Sequence, residues 1–66
     1  MNKLETLINI CGDANKTAKV LGVSSSSVSE WRSGKRDIPK YMELFINVLV
    51  NVPMARLDRI IEEATR

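Results

Sequence analysis

The chain has no histidine, one cysteine, two prolines, three glycines and only one each of tryptophan, tyrosine and phenylalanine in 66 residues. Without histidine, and with a single thiol, it can assemble neither a zinc site nor a serine or thiol nucleophile with an imidazole base. No catalytic residue, metal or cofactor is therefore expected, and the chain reads as a non-enzyme. A lone Cys11 excludes an internal disulfide and the stapled extracellular class, so a reducing cytoplasm is the expected address. Its plain reading is a small apolar residue closing a helix. The apolar patch Leu44 to Val52 is too short and too interrupted to span a bilayer, and the opening Met-Asn-Lys-Leu-Glu lacks the apolar centre of a signal peptide. There is no low-complexity tract or linker. Apolar residues make up 44% and charged residues 27%, a globular profile that predicts one domain over residues 1–66. So small a chain buries a limited core, and a second copy is expected to complete its stability.

Charge is unevenly spread. The formal net charge is +2, but from Ala14 to Lys40 six basic residues stand against Glu30 and Asp37, a local balance of +4 with flanks of −1 each. This segregation predicts a basic face for an anionic partner.

The basic segment is also the most patterned. Asp13 is a cap for a helix over Ala14 to Leu21, on which Thr17, Ala18 and Leu21 share one face. Gly22 suits a left-handed position that ends this helix, and Val23 plugs the angle to the next. Ser24 caps the next helix, Ser25 to Ser33, with Val28 and Trp31 inward and Ser25, Ser26, Ser29, Glu30 and Ser33 outward. That outward face is short and polar, so it can approach another surface closely.

The remaining elements read as support. Leu4, Leu7, Ile8 and Cys11 form one stripe of a helix from Lys3 to Cys11, which Gly12 ends. After Trp31 a polar, basic loop contains Gly34, and Pro39 suits the first position of a helix running to Asn51. This helix has two apolar stripes. Tyr41, Leu44, Phe45, Val48, Leu49 and Val52 are assigned to the core beneath Trp31 and Leu21; Met42, Ile46 and Val50 form the second. A β-strand rivals helix over Phe45 to Val52, where branched residues alternate. Helix is preferred because no hairpin turn follows and because Met54 to Thr65 is amphipathic with period 3.6, Leu57, Ile60 and Ile61 on its apolar side. The second stripe has two readings: it is covered by that last helix folding back, or it joins the last helix in a dimer surface made of Met42, Ile46, Val50, Leu57 and Ile61. The expected fold is thus all-α, five short helices.

The ordered set Ala18, Gly22, Val23, Ser24, Val28, Ser29, Glu30 and Trp31 resembles the helix-turn-helix of phage repressors, and the chain is most similar to the small Cro-like proteins of lambdoid phages and bacterial prophages. The resemblance covers about residues 3 to 40. It departs at Ala14, where the family often has glutamine, and the family's C-terminal segments are hairpins in some members and helices in others. The resemblance implies a Cro/repressor-like arrangement of the second and third helices in a bacterial host cell, with the protein on the nucleoid when bound. It implies a repressor that blocks polymerase by occupying a double-stranded DNA operator, without a small-molecule ligand.

A major groove admits one α-helix. Matched to the family, Ser25, Ser26, Ser29 and Glu30 face the bases, with Ser33 at the far end. Glu30 could accept from a cytosine N4; its plain reading is a solvated helix residue paired with charges of the Arg32 region. Phosphates are expected at the start of the second helix, on Asn15, Lys16 and Thr17, where N–H groups are unpaired and the helix dipole is positive. The family's loop implies further backbone contacts from Arg32, Lys35, Arg36 and Lys40. One recognition helix addresses too few base pairs to be selective in a genome, so a homodimer is expected, at least on DNA. Alternatives are an antitoxin-like autorepressor or phage activator with the same motif, and a protein-interaction module on a helix-turn-helix scaffold.

Overall fold

Two glycines in the left-handed region set the directions of the central helices. In the computed structural model, which describes residues 3–66, α1 spans Lys3–Cys11, α2 Ala14–Leu21, α3 Ser25–Ser33, α4 Lys40–Val50 and α5 Met54–Ala64. Gly22 (φ 74°) ends α2: its N–H donates to the Lys19 carbonyl and the Val23 N–H to the Ala18 carbonyl. Gly34 (φ 81°) ends α3 in the same way, its N–H donating to Trp31 and that of Lys35 to Glu30. This paired closure satisfies carbonyls that a helix end otherwise leaves orphaned, and it needs a residue without a Cβ at its left-handed position.

The N-termini are capped as the side chains dictate. Asp13 accepts from the Lys16 N–H at 2.8 Å, and Ser24 accepts from the Ser27 N–H at 3.2 Å. Pro39 stands one place earlier than expected, before the first helical residue rather than at it, and Pro53 precedes the last helix, which starts at Met54 as expected. Each keeps an extended ψ just before its helix, and its carbonyl accepts the first helical N–H groups, those of Met42 and Glu43 or of Arg56 and Leu57.

Among the described residues there is no strand, so the rival reading of residues 45–52 falls. Period two would put Ile46 and Val48 on one side; instead Ile46 is buried and Val48 exposed. Helix α2 packs against α1, α3 and α5, while α1 lies against α4. The core joins Leu4, Leu7, Ile8 and Cys11 of α1 to Ala18, Leu21, Val28, Trp31, Met42, Ile46, Leu49 and Leu57. Lys3 Nζ donates to Asn47 Oδ1, tying α1 to α4 at the rim.

The assignment of the two stripes of α4 is reversed except at Leu49 and Val52, the members of the expected core stripe that do pack inward. Met42, Ile46 and Leu49 are buried, and Val50 and Val52 pack partly against the core, whereas Tyr41, Leu44, Phe45 and Val48 are exposed. The two stripes are about equally apolar, so periodicity within α4 does not rank them. The apolar face of α1 decides, because only one side of α4 can meet it. The dimer surface expected from Met42, Ile46, Val50, Leu57 and Ile61 is corrected with it. Met42, Ile46 and Leu57 are enclosed within one protomer, and Val50 and Ile61 pack against the same cluster. Side chains already removed from water within the protomer have little area left to give a partner.

Candidate functional site

The turn between α2 and α3 brings the start of one helix beside the outward face of the other. Val23 packs partly against the core at the corner, and Ser24 caps α3 immediately afterwards. As a result Ala14 and Asn15 of α2 and Ser25, Ser26, Ser29 and Glu30 of α3 line one shallow, open depression. Ser25, Ser26 and Ser29 are exposed, and Val28 and Trp31 hold the opposite side of α3 in the core. Ser33 is exposed at the far end, where its hydroxyl donates to the Glu30 carbonyl at 3.2 Å.

The start of α2 differs from expectation at one residue. Asn15 and Lys16 are exposed, but Thr17 is fully buried and its hydroxyl donates to the Asp13 carbonyl at 2.9 Å. Thr17 is therefore a packing residue and cannot reach a phosphate. The reason is helical phase: Thr17 lies one residue before Ala18 and four before Leu21, on the face α2 turns inward. The Asp13 carboxylate also takes the Lys16 N–H, which leaves less of that helix end open to an anion.

The cationic residues after α3 are organised by carboxylates. Arg32 Nε donates to Glu5 Oε2 at 2.7 Å, linking α3 to α1, and Arg36 Nη1 donates to Glu30 Oε1 at 3.0 Å. Both pairs are partly solvated, where such contacts contribute about 0–1 kcal/mol each, so they orient the arginines more than they hold the fold. Lys35 and Lys40 are exposed on the same side of the sequence. The pairing of Glu30 with a charge of the Arg32 region was legible as its plain reading; that of Arg32 with Glu5 was not, because 27 residues separate them.

At the base of the unit the Cys11 thiol is buried beside Thr17, and burial pushes its pKa up; interaction with the Thr17 side chain opposes this in part. No helix among the described residues is long and apolar enough to cross a membrane. Comparisons of the chain with protein-family models, with curated proteins and with solved structures give no match in any of the three.

Proposed function

We propose that this chain is a sequence-specific DNA-binding regulator of the Cro-like helix-turn-helix type, acting as a repressor by occupying its operator. The observation that carries the reading is the single depression in which the first residues of α2 meet Ser25, Ser26 and Ser29 of α3. Short hydroxyl side chains let the α3 backbone come close to a groove floor, and each can donate to or accept from a base edge. Asn15 and Lys16 at one end, and Lys35 and Lys40 at the other, supply phosphate contacts that fix register. Arg32 and Arg36 join them by exchanging solvated carboxylate partners for phosphates. Two copies on a palindrome double the length of sequence addressed.

A protein-interaction module on the same scaffold is the second reading. It is favoured by the ion pairs that engage Arg32 and Arg36 and so reduce the charge presented to a polyanion.

Selection of bound duplexes from a random library at near-physiological salt separates the two. The expected result is a palindrome whose half-site centres lie about one helical turn, roughly 34 Å, apart. Salt-sensitive retention of any duplex without enrichment would remove sequence specificity, and no retention would leave the interaction module.

A further inference from the structure

Helix α4 turns four large apolar side chains to solvent: Tyr41 is 72% exposed, Leu44 57%, Phe45 41% and Val48 59%. Their spacing of three, four and seven places them in one stripe along a helix roughly 16 Å long. The opposite side of α4 is already committed to the core through Met42, Ile46 and Leu49. Of the two charged residues of α4, Glu43 falls outside the stripe and Lys40 borders its N-terminal end, four residues before Leu44; the four side chains of the stripe are themselves neutral.

We propose that this stripe is the docking surface for a second copy of the chain, α4 packing against α4 about a two-fold axis. The proposal rests on the two-copy part of the proposed function and supplies its surface. Three features select a second copy as the occupant. The spacing is the one by which helix pairs interdigitate side chains. A neutral stripe meets its own copy without opposing like charges, as a self-complementary two-fold contact requires. The area is also of the right order. At these exposures the four side chains leave roughly 400 Å² free, so two copies bury at most roughly 800 Å² from them, the size of a weak, transient interface. A lipid surface fits less well, because a helix lying on a membrane carries several basic residues on its polar face and α4 carries one lysine and one glutamate.

An interface of this size predicts a weak dimer in free solution, strengthened when two copies occupy adjacent half-sites and their effective concentration rises. The test is sedimentation equilibrium of the full chain, without DNA, from micromolar to near-millimolar concentration. It is run on wild type, Val48→Glu and Leu44→Glu, with helical circular dichroism and melting as a check on folding. Because both positions are exposed, each variant is expected to melt close to wild type. Wild type is expected to approach twice the protomer mass, and each variant to dimerise roughly a hundredfold more weakly because a buried carboxylate would lack a partner. A wild type monomeric throughout, one that assembles beyond a dimer, or folded variants that pair as wild type does would each overturn the proposal. Retention on a single half-site duplex, measured on the same samples, reports DNA binding separately. A failed dimer with half-site retention leaves the DNA reading standing, and a dimer without retention removes that reading but not this surface.

Discussion

Glu30 fastens the loop after α3 twice over: its side chain accepts from Arg36 Nη1 at 3.0 Å, while its carbonyl accepts the N–H groups of Lys35 at 2.9 Å and Arg36 at 3.3 Å. A residue at the edge of the serine face thus positions the basic segment that follows. Its carboxylate is engaged toward that loop.

Under the proposed DNA-binding function, Glu30→Gln is accordingly expected to keep the preferred base at every operator position and to tighten binding a few-fold across all sequences, about 1 kcal/mol. Loss of a carboxylate near phosphates and release of Arg36 both act in that direction. Titration of the selected duplex and its single-base variants decides. A changed preference at one position per half-site would return Glu30 to base reading.

Gly22→Ala is expected to destabilise the protein by about 1–2 kcal/mol, the usual cost of a left-handed conformation for a residue with a Cβ. An added Cβ there would meet no atom within 4 Å, so conformation alone sets the cost. Thermal melting would show a Tm lower by about 4–8 °C or more for a domain this small. An unchanged Tm would mean that the turn relaxes at no cost.

Leu57 is fully buried, so Leu57→Ala is expected to cost about 2–5 kcal/mol, much of the stability available to a small domain. Urea unfolding at a dilution where no dimer forms provides the measurement. Loss of stability only at concentrations that support pairing would instead put Leu57 at an interface.

The Cys11 thiol has its pKa raised in the folded state, chiefly by burial. An acid held neutral by folding contributes stability that is complete below its unfolded pKa, about 8.5, and is lost as pH rises through that value toward the folded one. The unfolded chain then releases the proton first. The urea midpoint should therefore fall more steeply with rising alkaline pH for wild type than for Cys11→Ala. Parallel curves would show that Cys11 does not contribute to the alkaline loss.

Local chemistry in the sequence determined the helices and their ends. Asp13, Ser24, Gly22 and Gly34 act within a few residues of themselves, through caps and left-handed closures, and bound α2 and α3; Pro39 and Pro53 mark the starts of α4 and α5 to within about a residue. The serine face of α3 was legible for the same reason, since Val28 and Trp31 three apart fix which side is inward.

What lay across the chain was decided only by the tertiary structure. The two stripes of α4 are similarly apolar, and the side that enters the core is fixed by the placement of α1 against it and by Leu57 of α5 joining the same cluster. That choice buried Met42 and Ile46 and left Tyr41, Leu44, Phe45 and Val48 in water. The tie from Arg32 to Glu5 likewise exists only once α1 and α3 are brought together. Helical periodicity ranks residues around one axis; burial depends on which neighbouring helix arrives, and that is a property of the whole chain.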